Sequence, residues 1–214
     1  MDKIDYKKTE RELYLPKKPA IVDVPEMAFF AVDGQGDPNA SADYQEALEL
    51  LYGLSFTVKM SRMSGEEPEG YFSYVVPPLE GLWWTDASGF DGRTAGSKAD
   101  FRWTSLIRQP EFVTEEVFAW AKQTLAKKKP GLDVSRARYW RWTEGLCVHM
   151  LHVGPYDTEP ATIDKLDAFA AEQGYAADFS EARRHHEIYL SDPRRTAPEK
   201  LRTVIRHPVR KLPL

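Results

Sequence analysis

Apolar residues along the chain recur at two spacings, and the spacing changes from segment to segment. Short apolar runs bounded by proline or glycine predict strands, whereas apolar residues three and four positions apart predict helices. The predicted strands cover residues 27–32, 71–76, 82–85, 101–108, 186–190 and 201–207, with a hairpin of residues 136–143 and 146–153 around Glu144-Gly145. Helices are expected to begin after Ser41, after Thr114, and after Asp157 or Thr158. This order predicts an α+β protein whose antiparallel sheets carry helices on one side and enclose a central cleft.

The first 25 residues differ from the rest of the chain. They are rich in lysine and contain Pro16, Pro19 and Pro25, which predicts an extended N-terminal arm over residues 1–25. Residues 26–214 are then expected to form one domain. Within it, the Gly-, Ser- and Asp-rich stretch 87–98 predicts a mobile loop.

Two segments of the chain resemble each other. Residues 105–110 (SLIRQP) match residues 203–208 (TVIRHP), and each follows a short aromatic strand that ends in proline. The order strand, helix, strand, strand occurs in both regions, which predicts two pseudo-twofold halves, about 26–110 and 136–208, linked by a helix. Aligning the halves on their last two strands places Tyr189 opposite Tyr74 and Glu187 opposite Phe72. The seam between two such halves is a favourable place for a small-ligand site.

Aromatic residues are abundant, with 6 Trp, 10 Tyr and 10 Phe. Side chains two positions apart on a strand share a face, so Glu187 and Tyr189 are expected to point together into the seam. The same rule puts Phe72 together with Tyr74 and Trp140 together with Trp142, whereas it does not fix which way Trp83 and Trp103 face. With Tyr156 as a further hydrogen-bond donor, these residues make up a predicted ring-lined site. Its expected members are Glu187, Tyr189, Phe72, Tyr74, Trp83, Trp103, Trp140, Trp142 and Tyr156.

A carboxylate among aromatic rings is unfavourable unless it is paired or protonated, and desolvation is expected to raise the pKa of Glu187. One consequence is that a cationic aromatic ligand would neutralise Glu187 and stack on the rings. Another is that Glu187 would act as a general base for water, with Tyr189 or Tyr156 donating a hydrogen bond. A structural alternative is an exposed Glu187 paired with Arg183 or Arg184. A third possibility is a protein-interaction module that uses the aromatic face.

Charge and composition exclude several functions. The net charge of −4 lacks the basic face of general nucleic-acid binders. The longest early apolar run, residues 27–32, is too short to span a bilayer, and the N-terminus lacks a signal-peptide pattern, which favours a cytoplasmic protein. The single cysteine, Cys147, rules out an internal disulfide.

Neither a metal nor a cofactor is expected. Adjacent His185 and His186 on a strand point to opposite faces, which disfavours joint metal ligation. The Gly34-x-Gly36 turn lacks the third glycine of a dinucleotide site. A monomer or weak dimer that binds an aromatic or cationic small molecule is the expected form.

Several motifs together resemble the standalone branch of the GyrI-like small-molecule-binding proteins. They are the runs VPEM at 24–27, GQGDPN at 34–39, PLEGLWW at 78–84, IRQP at 107–110, EGLC at 144–147, HVGPYD at 152–157 and EIYL at 187–190. The resemblance covers almost the whole chain.

This resemblance implies a duplicated fold around an aromatic cleft, in which the glutamate at the matching position, Glu187, receives lipophilic and often cationic ligands. Some standalone members resemble hydrolases that open the cyclopropane of DNA-alkylating antibiotics. By that analogy, Glu187 would be the catalytic base and Tyr189 the assisting tyrosine. The chain is therefore expected to bind lipophilic aromatic drugs or xenobiotics, with hydrolysis of cyclopropanoid compounds as the alternative.

Overall fold

Six antiparallel strands close into a barrel. The computed structural model describes residues 3–86, 90–93 and 97–213. The strands are β1 (Ala20–Gln35), β2 (Leu79–Trp84), β3 (Arg102–Gln109), β4 (Ala137–Val153), β5 (Tyr175–Ala177), β6 (His185–Tyr189) and β7 (Arg202–Lys211). Their order is β4-β1-β3-β2-β6-β7, and β4 also pairs with β7, which closes the ring. Strand β5 adds to the end of β7. The expected α+β class with an antiparallel sheet is confirmed, but the sheet curls into a barrel.

Five α-helices accompany the barrel in the part of the chain that the structure describes. They are α1 (Tyr6–Thr9), α2 (Arg11–Tyr14), α3 (Ala42–Ser64), α4 (Glu115–Lys128) and α5 (Glu159–Glu172). The predicted helix starts are confirmed, since the side chains of Ser41 and Thr114 accept hydrogen bonds from the first turns of α3 and α4, and Thr158 precedes α5. None of the described helices is long and apolar enough to cross a bilayer.

Successive side chains along each strand point alternately into the barrel and out of it, which gives an interior and an exterior layer of side chains. One apolar cluster takes residues from all six barrel strands, including Phe29, Leu106 and Ile188, and therefore fills the barrel. Helices α3 and α4 cover one outer side of the barrel, around Phe30 and Ile107. Helix α5 covers the other outer side.

The barrel also buries a charged cluster. Glu144 accepts hydrogen bonds from Arg206 and His186, each at 2.9 Å, and His186 also contacts Glu80 at 2.9 Å. Burial favours the neutral form of Glu144, but the nearby His186 and Arg206 charges outweigh it and lower the pKa of Glu144 to about 2. Burial disfavours charge on His186 as well, yet the two glutamates raise its pKa to about 9. The interior is therefore an ion network in which His186 is a cation at neutral pH.

Two predicted elements differ in the structure. The expected hairpin around Glu144-Gly145 is a single 17-residue strand, because β1 pairs with β4 on both sides of Gly145. Residues 71–76 form no strand and contribute one isolated bridge between Tyr74 and Ile4. The local sequence could not reveal these outcomes, since both depend on distant partners.

The N-terminal segment is not an extended arm. Helices α1 and α2 bury Tyr6, Leu13 and Tyr14 against the barrel, and β1 already begins at Ala20. The backbone oxygen of Leu13 accepts a hydrogen bond of 2.7 Å from the buried Arg206. Part of the loop expected at 87–98 lies outside the described residues.

Candidate functional site

A cleft of about 1570 Å³ opens on the outer face of the barrel, between α3 and the turn that leads into α5. Strands β2 and β6 lie side by side at its floor, with Gly81 paired to Glu187. Eight aromatic residues contribute to its lining: Tyr44, Tyr52, Phe56, Trp83, Phe90, Phe101, Tyr156 and Tyr189. The cleft therefore suits a lipophilic, ring-bearing ligand.

Glu187 lies at the centre of a hydrogen-bond network in this cleft. Its Oε2 accepts from the Tyr189 hydroxyl at 2.7 Å, and its Oε1 contacts Nε2 of His185 at 2.9 Å. The indole N–H of Trp83 donates to the Tyr189 hydroxyl at 2.8 Å. Hydrogen bonds to a charged group contribute about 1.5–3 kcal/mol each. The network therefore holds Glu187 in one orientation.

The absence of a side chain at Gly81 makes room for this network. A Cβ at this position would lie 2.6 Å from Nε1 of Trp83 and 3.0 Å from the Tyr189 hydroxyl. The first distance is shorter than real Cβ contacts and the second is tight, so the absence of a Cβ leaves room for the Trp83–Tyr189 hydrogen bond to pass over the strand.

The structure corrects the expected electrostatics of Glu187. Burial does favour the neutral acid, but hydrogen bonds and charge from His185, together with the Tyr189 hydroxyl, outweigh it and lower the pKa of Glu187. The carboxyl with a raised pKa is Glu159, the first residue of α5. Burial and then the charge of the adjacent Glu187 raise the pKa of Glu159 to about 10. At neutral pH the site holds one carboxylate and one carboxylic acid.

His185 has buried partners on both sides of its ring, Glu187 on one side and His207 on the other. A carboxylate only accepts hydrogen bonds, so Nε2 of His185 carries the hydrogen toward Glu187. On its other side, Nδ1 of His185 is hydrogen-bonded to Nε2 of His207 at 2.7 Å. Asp167 lies 3.7 Å from Nδ1 of His207. These contacts fix the orientation of the His185 ring.

The tyrosines of the cleft are hydrogen-bond donors at neutral pH. Burial and the charge of Glu187 raise the pKa of Tyr156 to about 12 and that of Tyr189 still further. Since the Tyr189 hydroxyl already donates to Glu187, Tyr156 is better placed to donate to a ligand. Its ring meets that of Tyr189 edge to face at 6.0 Å.

Glu159, His185 and Glu187 also place three potential metal-ligand atoms within 4.8 Å of one another. Both oxygens of Glu187 already face donors, His185 and Tyr189. A metal ion would have to displace these hydrogen bonds, so the donor set fits a carboxylate held by N–H and O–H groups better than a metal centre.

Four of the nine predicted site residues line the cleft, namely Glu187, Tyr189, Trp83 and Tyr156. The alternative prediction, in which Glu187 is exposed and pairs with Arg183 or Arg184, is wrong, since both arginines have other partners among the described residues. Arg183 pairs with Asp178 at 2.5 Å, and Arg184 lies over the Trp84 ring.

Five predicted rings lie elsewhere. Phe72 and Tyr74 pack with Phe112, because residues 71–76 form no sheet strand. Trp103 is fully buried behind Tyr44, which covers it edge-on at 5.0 Å. Trp140 and Trp142 stack on each other at 4.9 Å and pack with the apolar cluster that fills the barrel, away from the cleft.

Sequence reasoning missed Glu159, His185 and His207. The alternation on β6 could have revealed His185, since it shares a face with Glu187 and Tyr189. Glu159 and His207 carry no such signal, because α5 and β7 approach β6 only through the tertiary fold.

The chain is similar to known proteins in sequence and in fold. A family model described as the GyrI-like small molecule binding domain matches residues 17–210. The chain belongs to this GyrI-like family. None of the curated proteins compared with it matches significantly.

Solved structures agree with this membership. A hydrolase from Listeria innocua has 46% sequence identity to this GyrI-like chain and a TM-score of 0.88, with 97% of this chain and 100% of the other covered. An uncharacterized conserved protein from Listeria innocua has 48% identity and a TM-score of 0.91 over the same shares. The C-terminal domain of EcmrR has 12% identity and a TM-score of 0.51, covering 91% of this chain and 98% of that domain, which supports the fold alone.

Proposed function

We propose that this GyrI-like protein is a hydrolase for lipophilic, electrophilic aromatic compounds, with Glu187 as general base. The observation that carries the proposal is an ionised carboxylate fixed by His185 and Tyr189 at the floor of an aromatic cleft. The similarity to a Listeria innocua hydrolase at 46% identity supports catalysis over binding alone. The proposed substrate class is the cyclopropane-bearing DNA alkylators that the sequence resemblance implies.

The proposed step is the addition of water to a strained ring. Glu187 takes one proton from water while the water oxygen forms a bond to a cyclopropane carbon. The carbon–carbon bond that breaks sends its electron pair into the conjugated carbonyl of the substrate, and Tyr156 donates a hydrogen bond to the oxygen that becomes negative. This oxygen takes a proton from solvent, and Glu187 releases the proton that it took from water to solvent, which restores the carboxylate. The product is the substrate plus one water.

Within this mechanism Tyr189 is a positioning residue. Its hydroxyl hydrogen points to Glu187, and its oxygen accepts from Trp83. It therefore aims the carboxylate and helps to keep it ionised. The sequence analysis expects a tyrosine to assist Glu187, and this expectation is compatible with the positioning role of Tyr189 and with the donor role of Tyr156.

Glu187→Gln tests the proposal. With a cyclopropane-bearing DNA-alkylating antibiotic as substrate, we expect the wild type to give a product heavier by one water, and the variant to lose about 10²–10⁴-fold in rate. Glu172→Gln, an exposed residue at the far end of α5, is the matched control and should retain full activity. Equal turnover by Glu187→Gln and the wild type, measured by mass spectrometry, would remove Glu187 from the mechanism.

Binding of lipophilic cations is the second candidate function. The buried negative charge of Glu187 among rings such as Trp83 and Tyr156 supports it. A lipophilic cation that enters the cleft is expected to quench tryptophan fluorescence, and Glu187→Gln is expected to remove the preference for cations over neutral dyes. Equal quenching by both ligand types in the wild type would exclude this function.

We also propose that the chain arose from two duplicated halves, about 26–110 and 136–208. The neighbour order β1-β3-β2 in the first half and β4-β7-β6 in the second supports this, as does the placement of the matching SLIRQP and TVIRHP segments on β3 and β7. The pairing register supports a different alignment from the one predicted. Ile107 pairs with Leu79 and Ile205 with Glu187, so Leu79 rather than Phe72 is the counterpart of Glu187.

A further inference from the structure

Two buried carboxyl groups from distant parts of the chain meet in the cleft. Glu159 begins α5 and is 4% exposed, and the Glu187 side chain on β6 is 13% exposed. A carboxyl oxygen of Glu159 lies within 4.8 Å of one of Glu187. Two carboxylates in contact in a poorly solvated site cannot both ionise readily, as in the paired acids of aspartic proteases. The pair must therefore hold a proton or meet a cation.

The donors around the pair decide which carboxyl holds the proton. Glu187 receives two hydrogen bonds, from His185 and Tyr189, that favour its charged form. Glu159 meets no donor of this kind, and its Oε1 has no hydrogen-bond partner among the described residues. The proton consequently resides on Glu159.

The other titratable groups near the pair do not neutralise it. The groups that interact with it are Tyr44 from α3, Tyr156 and Asp157 from the turn before α5, and His185 and Tyr189 from β6. Among them only His185 is a base, and its Nε2 is directed at Glu187. Basic side chains that line the cleft, such as Arg93, Lys98 and Arg194, are paired with aspartates. A positive charge placed in the cleft would thus act most strongly on the proton of Glu159.

We propose that Glu159 is the proton-exchanging group of the cleft: the Glu159–Glu187 pair keeps one proton when a neutral ligand binds and releases it to solvent when a lipophilic cation binds. This inference rests on the second candidate function, cation binding. In the exchange the O–H bond of Glu159 breaks, the proton passes to the buffer, and the charge of the pair changes from −1 to −2 opposite the bound cation. Glu159 thereby sets how strongly pH controls the choice between neutral and cationic ligands.

The coupling of proton release to cation binding predicts how the cation affinity depends on pH. If cation binding releases one proton, cation affinity must rise about tenfold for each pH unit over the range in which Glu159 is protonated in the free protein and ionised in the complex. A ligand without a titratable group is needed, so that only the protein changes its protonation. Tetraphenylphosphonium meets this requirement, and triphenylphosphine oxide is a neutral aromatic comparison.

Isothermal titration calorimetry with these two probes tests the inference. The titrations are done at about pH 7.5, where Glu159 is expected to be protonated. Repeating them in two buffers of different ionisation enthalpy gives the number of protons released. We expect about one proton per tetraphenylphosphonium bound to the wild type, about none with triphenylphosphine oxide, and a cation affinity that rises about tenfold per pH unit. In Glu159→Gln, which keeps the size of the neutral acid, proton release and the pH slope should both disappear. Glu172→Gln, the same change at an exposed position at the far end of α5, is the control and should retain both.

Each contrary result has a defined meaning. Cation binding by the wild type without proton release, or no cation binding at all, overturns the inference. Release of one proton by Glu159→Gln overturns the assignment to Glu159 and transfers it to another group, such as His185. Thermal unfolding of each variant verifies that it is folded. A failure of hydrolysis in the separate turnover assay would not affect these results, so the two proposals can fail independently.

Discussion

Glu159 and Glu187 are chemically identical side chains in one cleft, yet they have opposite protonation. The difference comes from a few hydrogen atoms, since Glu187 faces the N–H of His185 and the hydroxyl of Tyr189, while Glu159 faces Glu187. Burial alone favours the neutral acid for both residues. At Glu187 the local hydrogen-bond donors therefore outweigh the effect of desolvation. At Glu159 no such donors compensate for desolvation.

At the same scale, Gly81→Ala is expected to disrupt the site without removing any functional group. The new methyl would lie 2.6 Å from Nε1 of Trp83 and force the indole away from Tyr189. We expect turnover to fall by at least about tenfold and stability by about 1–3 kcal/mol, the usual effect of overpacking. Gly131→Ala is the control, because a Cβ at Gly131 meets no atom within 4 Å. Unchanged turnover in Gly81→Ala, measured with the same substrate, would show that the Trp83–Tyr189 contact is dispensable.

At the scale of elements, the site depends on how the segment 90–93 and α5 hold β6. Gly92 has a φ of +87°, and a Cβ there would lie 2.3 Å from the ring of His185. Phe90 meets the same ring edge-on at 6.0 Å. Arg93 ties the segment to α5, through Asp164 at 2.9 Å and Asp167 at 2.5 Å. The segment thus covers the histidine that holds Glu187.

Arg93→Gln is expected to loosen this cover. The ion pairs are partly exposed, so their loss should lower stability by only about 0–1 kcal/mol. Turnover should decline several-fold, because His185 loses part of its confinement. Arg102→Gln, which breaks a comparable ion pair with Asp86 outside the cleft, is the control and should retain activity. A parallel loss in both variants would indicate a general effect of removing surface arginines.

At the scale of the whole molecule, the closed barrel separates two sets of ionisable groups. On β6, His186 points into the barrel toward Glu80 and Glu144, while its neighbours His185 and Glu187 point outward into the cleft. The interior set is joined by the hydrogen bonds of Glu144 and His186, although Oε1 of Glu80 has no partner among the described residues. The exterior set includes an acid with a raised pKa, as is common at functional sites.

The interior set predicts how stability depends on pH. The pKa of His186 is about 9 in the folded protein against 6.5 for an ordinary histidine. A raised pKa means that its stabilising contribution is complete below pH 6.5 and is lost as the pH rises to 9. We expect the free energy of unfolding, measured by urea denaturation, to fall by a few kcal/mol over this range, at about 1.4 kcal/mol per pH unit for one proton. A flat profile would show that His186 is neutral in the barrel.

The sequence by itself determined the local elements. Capping residues such as Ser41 and Thr114 and the apolar spacing that follows them act within one or two helical turns, so α3 and α4 were predictable. The period of two along β6 likewise fixed the shared face of Glu187 and Tyr189, and the motif resemblance indicated the family.

Only the tertiary structure decided which groups meet across the fold. The continuity of β4 through Gly145 depends on pairing with β1, and the burial of Trp103 depends on α3, which covers it with Tyr44. The protonation of Glu159 depends on the approach of α5 to β6, which brings its carboxyl within 4.8 Å of Glu187. Such electrostatic effects fall off over a few ångströms in space and bear no relation to separation along the chain, which is why the sequence could not give them.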